Sequence, residues 1–143
     1  LDTALAARFG KPVAQIFAED GEAVFRAAEA ELCRALAPQA GLVVATGGGA
    51  VVDPANRAAL AARGVLICLT CAPAALVARL PAAGVAARPL LAGDPEAAIR
   101  GLLAARAAVY GAIPLQVDTT GLDVEAVAER VLAVYERVAR AGS

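Results

Sequence analysis

The sequence contains no histidine, methionine or tryptophan, and its only lysine is Lys11. Without histidine, the Ser-His-Asp and Cys-His arrangements that activate a nucleophile are excluded, as are zinc sites that use imidazole. The 13 basic and 14 acidic side chains give a formal net charge of −1, and the basic residues form no cluster. Nucleic acid is therefore not expected as a partner, because phosphate binding needs concentrated positive charge.

Long apolar segments that could cross a membrane are also missing. The two longest uncharged runs, 35–52 and 64–78, contain glycine or proline and fall short of the roughly 20 apolar residues that a span requires. The three cysteines, Cys33, Cys68 and Cys71, have apolar neighbours in sequence. Reduced thiols in a cytoplasmic protein without an export signal are expected, since the C-x-x-C spacing alone is weak evidence for redox or metal chemistry.

Short apolar runs alternate with longer alanine-rich segments along the chain. The runs 42–46, 65–70 and 115–118 each follow a glycine or proline, and their nearly continuous apolar character is typical of strands buried on both faces. The alternation predicts one α/β domain over residues 1–143, with a three-layer arrangement of a parallel sheet and helices on both faces.

Helical periodicity and helix-stop residues predict seven helices before, between and after the strands. Asp53 and Asp94 each precede a proline and are predicted N-caps. Residues 81–93 carry glycines, prolines and Arg88, and such a long irregular segment predicts a lid over a site. The predicted helices cover residues 3–9, 13–17, 22–37, 54–62, 73–80, 95–110 and 124–140.

Three glycines, Gly47, Gly48 and Gly49, directly follow the first predicted strand. Without a Cβ, their backbone can approach an anionic or hydroxyl-rich ligand at the carboxyl end of the strand, although a simple tight turn is the alternative. The run is not a G-x-x-x-x-G-K-[ST] phosphate loop, because it has no lysine.

The few polar side chains in helices and loops are candidate site residues. Arg26 stands three residues before Glu29, a helical spacing at which the carboxylate can hold the guanidinium, although a solvated surface pair is the alternative. Arg79, Arg88 and Arg106 are each more often surface residues when considered alone. A carboxylate beside a glycine turn, in turn, can accept a proton from a substrate hydroxyl.

Six stretches match one known family in order along the whole chain. They are Asp2 before a helix ending at Gly10, 16–22 (IFAEDGE), 25–29 (FRAAE), 45–51 (ATGGGAV), 88–91 (RPLL), and 106–110 (RAAVY) before 117–119 (VDT). Together they resemble shikimate kinase, a member of the P-loop kinase class. The resemblance implies transfer of the γ-phosphoryl group of ATP to the 3-hydroxyl of shikimate, with Mg²⁺, by a cytoplasmic monomer in aromatic amino acid biosynthesis.

The resemblance also implies roles for individual residues. Asp2 would contact the reacting hydroxyls and act as the base. Arg26 and Arg106 would grip the shikimate carboxylate, since a guanidinium binds a planar anion with two hydrogen bonds. Glu29 would orient Arg26, and the three glycines would face the ring.

On the nucleotide side, the resemblance implies that Arg88 closes onto the phosphates during catalysis and that Arg79 lies near the adenine. The family has a strand and a phosphate loop upstream of the aspartate that matches Asp2, and neither occurs in these 143 residues. We therefore expect the chain to be part of a longer gene product and inactive as a kinase by itself, because phosphoryl transfer depends on those groups. We also expect it to aggregate or be partly unfolded by itself, because the missing strand is central in the family and its absence leaves apolar strand edges unpaired.

Two alternatives remain open. One is a non-catalytic shikimate-binding module, such as a part of a fused aromatic-pathway polypeptide. The other is a related small-molecule kinase such as gluconate kinase, which fits less well because Arg26, Glu29 and Arg106 suggest a ring that carries a carboxylate.

Overall fold

Helices dominate the fold, with a pair of short strands between them. The structure, a computed structural model, describes residues 1–80 and 94–141. The chain divides into two compact units, Leu1–Gly64 and Val65–Ser143, so the predicted single domain stays a prediction. The elements are α1 Asp2–Phe9, α2 Val13–Glu19, α3 Glu22–Leu36, α4 Gly47–Ala50, α5 Pro54–Ala61, β1 Ile67–Thr70, α6 Pro73–Arg79, α7 Pro95–Gly111, β2 Leu115–Asp118 and α8 Val124–Ala141.

Local signals in the sequence account for the helices. Every predicted helix forms, with ends that differ by no more than about two residues from the prediction. The Asp53 carboxylate accepts the backbone N–H of Ala55 at 2.8 Å, and Asp94 accepts the N–H groups of Glu96 and Ala97 at 3.0 and 3.1 Å. Both predicted N-caps are confirmed, and each satisfies backbone donors that a helix start leaves without partners.

The core of the first unit lies between α1, α2 and α3. Leu5, Ile16, Phe25 and Ala28 form its buried centre. On α3 the buried positions recur every three or four residues, which is the period of one helix face. This face also includes Glu29, so the packing of α3 carries a carboxylate into the interior.

In the second unit, β1 and β2 pair in parallel. The register runs from Ile67 opposite Leu115 to Thr70 opposite Asp118. Beyond the strand ends, the N–H of Thr119 donates to the Thr70 carbonyl at 2.8 Å. Helix α6 packs on α7, and α8 packs on β2. The predicted strand at 115–118 is confirmed, and the one at 65–70 forms over its last four residues.

The prediction of a strand at 42–46 is wrong for this structure. These residues form no regular secondary structure, and the sheet in the described part of the chain contains only β1 and β2. Val43 is fully exposed and Leu42 is half exposed. A strand needs a neighbouring backbone to complete its ladder, and within residues 1–80 and 94–141 no segment supplies one.

The glycine run also differs from a simple turn. Gly47–Ala50 forms one turn of helix, α4, which Gly47 enters with a left-handed φ of 68°. The predicted lid at 81–93, with Arg88, lies outside the described residues. Of the helices within the described ranges, none combines the length and hydropathy needed for a membrane span.

A cluster of four polar side chains, called the clasp below, links the residues just before α2 to the end of this helix. It consists of Lys11, Gln15, Glu19 and Asp20. The Lys11 ammonium lies 2.9 Å from Glu19 and 2.5 Å from Asp20, and the Gln15 amide donates to Glu19 at 2.7 Å. Hydrogen bonds with Asp20 and Glu19 raise the pKa of Lys11, and those from Lys11 and Gln15 lower the pKa of Glu19. The clasp therefore stabilises the fold across the neutral range.

We expect Lys11→Met to lower the melting temperature by about 2 °C near pH 7, because it removes this clasp. Because the pKa of Glu19 is lowered, this carboxylate stabilises the fold at pH values above its ordinary pKa. That contribution is lost as the pH falls through the pKa of the folded state. Melting curves of both proteins should therefore converge below about pH 4. Arg8→Met, which removes the same charge from a pair with both side chains half exposed, is the control and should have a smaller effect. A difference that is equally large at pH 3 and pH 7 would contradict this assignment.

Candidate functional site

The best-defined cationic group of the first unit is the guanidinium of Arg26 on α3. Its Nη1 lies 2.6 Å from Oε2 of Glu29, and its Nε lies 3.3 Å from Oε1 of Glu22. The Glu29 side chain is 3% exposed, whereas that of Arg26 is 35% exposed. This difference rules out a solvated surface pair: the carboxylate is a buried anchor, and the guanidinium reaches from it toward the surface.

Two aromatic rings, those of Phe17 and Phe25, also lie against this guanidinium. The groups that surround it are called the seat of Arg26 below. The Cζ atom of Arg26 lies 5.7 Å from the ring centroid of Phe17 and 5.3 Å from that of Phe25. The rings contact each other with centroids 4.6 Å apart. The two distances from Cζ of Arg26 to the ring centroids are within the range of a cation–π attraction. Neither ring is predicted from the sequence to belong to the site, although Phe25 precedes Arg26 directly and the chain has only three phenylalanines.

The glycine run lies against the same guanidinium. A Cβ added at Gly49 would stand 2.5 Å from Nη1 and 2.8 Å from Nη2 of Arg26. Real Cβ atoms do not come so close to other heavy atoms, so only glycine permits this approach. The glycine backbone therefore approaches a protein side chain 23 residues earlier in the sequence, and its approach to a bound ligand stays a prediction.

Opposing effects act on the charge of Arg26. Burial lowers the pKa of the guanidinium, but the hydrogen bonds and negative charges of Glu29 and Glu22 together raise that pKa above its ordinary value. Arg26 therefore stays cationic throughout the range in which proteins are stable. A fixed, planar and partly exposed guanidinium of this kind suits a carboxylate or phosphate, which it can bind with two parallel hydrogen bonds.

Asp2 lies in the same unit, at the first residue of α1, with an exposed side chain. The Leu1 nitrogen donates to the Ala45 carbonyl at 2.7 Å, so Asp2 begins close to the segment that leads into Gly47. Among the ion pairs of the described residues, none includes Asp2. Its carboxylate is accessible to a ligand that approaches this end of α1.

The other candidate arginines lie outside the first unit. Arg79 and Arg106 belong to the second unit, and Arg88 lies outside the described residues. Arg106 lies half-buried on α7, where its Nη1 contacts the Tyr110 hydroxyl at 3.2 Å. Arg79, at the end of α6, donates to Thr119 and to the Leu122 carbonyl at 2.5 to 3.1 Å. The shared site of Arg26 and Arg106 stays a prediction, as do the roles of Arg79 and Arg88.

The described residues also bear on metal and thiol chemistry. Within residues 1–80 and 94–141, no group of three or more acidic or cysteine side chains is placed to hold a metal ion. None of these residues is therefore assigned to Mg²⁺.

The three cysteines are free thiols. Burial raises the pKa of Cys33 and of Cys68, so both thiols are protonated near pH 7.

Comparison with known proteins gives one consistent family. The family model described as shikimate kinase matches residues 1–136. A shikimate kinase of Desulforudis audaxviator is 52% identical over 110 residues, which are 77% of this chain and 57% of that protein. A shikimate kinase of Halorhodospira halophila is 43% identical over 137 residues, 94% of this chain and 76% of the relative.

A solved structure agrees with the sequence comparisons. Shikimate kinase from Acinetobacter baumannii in complex with shikimate superposes with a TM-score of 0.82 at 29% sequence identity. The match covers 92% of this chain and 73% of the solved one. The predicted α/β fold with parallel strands is therefore confirmed, and this chain spans 57% of the length of its Desulforudis relative.

Proposed function

Since this chain belongs to the shikimate kinase family, we propose that it binds shikimate as part of an enzyme that phosphorylates the 3-hydroxyl of that acid. The seat of Arg26 is the observation that carries the proposal. A buried carboxylate, two aromatic rings and a glycine backbone hold one guanidinium at the surface. A planar carboxylate such as that of shikimate is the ligand that this geometry suits.

Each residue of the site has a defined task in this proposal. Arg26 binds the substrate carboxylate, with Arg106 as the second cation. Glu29 keeps Arg26 charged and oriented, while Gly49 leaves room for the guanidinium. Asp2 takes the proton from the 3-hydroxyl as that oxygen bonds to the γ-phosphorus and ADP leaves.

ATP supplies the transferred phosphoryl group, in keeping with the kinase family. The requirement for Mg²⁺ and the contacts of Arg88 with phosphates and of Arg79 with adenine are part of the proposal. So are a monomeric state and a cytoplasmic location, the latter supported by the free cysteines. The relatives carry the name of the enzyme, which supports a kinase over a non-catalytic binding module.

The direct test uses the protein as its gene encodes it. Isothermal titration calorimetry should show binding of shikimate and at least tenfold weaker binding of its methyl ester, because the ester removes the charge that Arg26 recognises. Incubation with Mg²⁺, ATP and shikimate should yield shikimate 3-phosphate, identified by mass spectrometry. Binding without phosphorylation would favour the non-catalytic module, and equal affinity for acid and ester would contradict the role of Arg26.

We expect Glu29→Gln to weaken shikimate binding about tenfold. The amide keeps the shape of the buried side chain but loses the ion pair at 2.6 Å, so Arg26 is oriented by a weaker hydrogen bond. Glu22→Gln is the matched control, because its pair is longer at 3.3 Å and its side chain is exposed. This control should change the dissociation constant less than about twofold. Equal effects of the two substitutions would mean that burial of Glu29 has no part in positioning Arg26.

A further inference from the structure

Asn56, the only asparagine of the sequence, is buried in the first unit. Its side chain projects from α5 toward the glycine helix α4. The Nδ2 group donates to the carbonyl of Ala50 at 3.1 Å, and both residues are shielded from solvent, with Asn56 3% exposed and Ala50 fully buried. A buried carbonyl without such a donor would be strongly unfavourable, so this hydrogen bond restricts where Ala50 can lie.

The short length of α4 explains why it needs outside donors. A helix of four residues cannot satisfy its last carbonyl groups from within. Next to Asn56, the guanidinium of Arg57 donates from Nη1 to the carbonyls of Val51 and Val52 at 2.6 and 3.1 Å. Three successive carbonyls, those of residues 50–52, are thus held by two neighbouring side chains of α5.

These hydrogen bonds act on the part of the site that contacts Arg26. Gly49 precedes Ala50 directly, and its carbonyl accepts the N–H of Val52 at 3.1 Å. The clearance between Gly49 and the Arg26 guanidinium leaves no room for a methyl group. A displacement of Ala50 by a fraction of an ångström therefore alters the surface against which Arg26 is seated.

We infer that Asn56 is a positioning residue of the acid-binding site: it fixes the carbonyl of Ala50 and thereby holds the Gly49 backbone in place against Arg26. Its effect on the conformation of α4 stands on the geometry alone. Its effect on affinity for the acid rests on the proposed function.

The experiment compares Asn56→Ala with Asp53→Ala in the protein as its gene encodes it. Asp53→Ala removes the N-cap hydrogen bond of the same helix, so it weakens α5 without removing the donor to Ala50. The readouts are amide hydrogen exchange of residues 49–52, the melting temperature, and the dissociation constant of shikimate. Asn56→Thr, which keeps a hydrogen-bond donor, is a milder variant if the alanine variant does not fold.

With Asn56→Ala we expect exchange of residues 49–52 to rise about tenfold over the Asp53→Ala protein at matched stability, with shikimate binding about tenfold weaker. Asn56→Thr should give smaller changes of the same sign. Equal exchange in the Asn56 and Asp53 variants, or unchanged affinity despite faster exchange, would overturn the inference. If the unsubstituted protein does not bind shikimate, the proposed function fails, and the exchange data alone decide whether Asn56 positions α4.

Discussion

Replacing Arg26 with alanine should weaken shikimate binding roughly 100-fold, because it removes the charge-assisted hydrogen bonds to the substrate carboxylate. The same change leaves the carboxylate of Glu29, whose side chain is 3% exposed, without its ion partner. A buried charge that loses its partner destabilises a fold. We therefore expect a lower melting temperature as well, and the two effects must be separated.

The double variant Arg26→Ala/Glu29→Gln separates affinity from stability. Glutamine removes the buried charge, so the melting temperature should recover much of its loss while binding stays weak. Arg26→Lys keeps the charge but has no planar fork, and its affinity should be intermediate. Titration calorimetry and thermal unfolding on each variant are the measurements. Recovery of affinity in the double variant would show that Arg26 acts only through stability. Binding of ATP should be unaffected by all three changes.

Replacing Gly49 with alanine should weaken shikimate binding about 30-fold while changing stability little. The new Cβ would stand 2.5 Å from Nη1 of Arg26, and the flexible arginine side chain can move away at small conformational expense. The guanidinium would then shift away from α4 and lose its alignment with the substrate carboxylate, while Glu29 remains its ion partner, so the fold loses little stability. Because Gly49 lies within α4, the higher helix propensity of alanine offsets part of any loss of stability, by about 0.5–1 kcal/mol.

Gly101→Ala is the matched control for this prediction. Gly101 lies within α7, and a Cβ there would meet no atom within 4 Å. Its replacement should leave affinity unchanged and increase stability by up to about 1 kcal/mol. A double-mutant cycle adds a stricter test: if Gly49 acts through Arg26, then Gly49→Ala should add almost nothing in the Arg26→Ala background. Additive losses would instead mean that Gly49 contacts the substrate independently of Arg26.

The sequence predicted the parts of the site that depend on residues close together in the chain, and it missed the parts formed by residues far apart. The pairing of Arg26 with Glu29 lies within one turn of helix and was accessible from spacing alone. The seat of the guanidinium was not, because Phe17 and Gly49 come from other elements and nothing in their own neighbourhoods marks them as partners of Arg26. Asn56 was missed for the same reason, although a single asparagine in an apolar helix was a usable signal.

The same difference between local and distant interactions explains why helices were predicted better than strands. Helix starts are encoded by a few adjacent residues, so the caps at Asp53 and Asp94 and the helix ends could be predicted closely. A strand also needs a partner from elsewhere in the chain. The runs that became β1 and β2 pair with each other, whereas 42–46 has the same apolar character and pairs with no described segment. Composition alone cannot distinguish these two outcomes.

The sequence by itself determined the helices, their caps, the parallel α/β character and the pairing of Arg26 with Glu29, because each depends on residues only a few positions apart or on simple alternation. Only the tertiary structure decided that Glu29 is buried, that Gly49 lies against Arg26, and that α5 holds the carbonyls after α4. Burial and close approach arise when segments far apart in the chain pack together. No local pattern of residues specifies which segments those are.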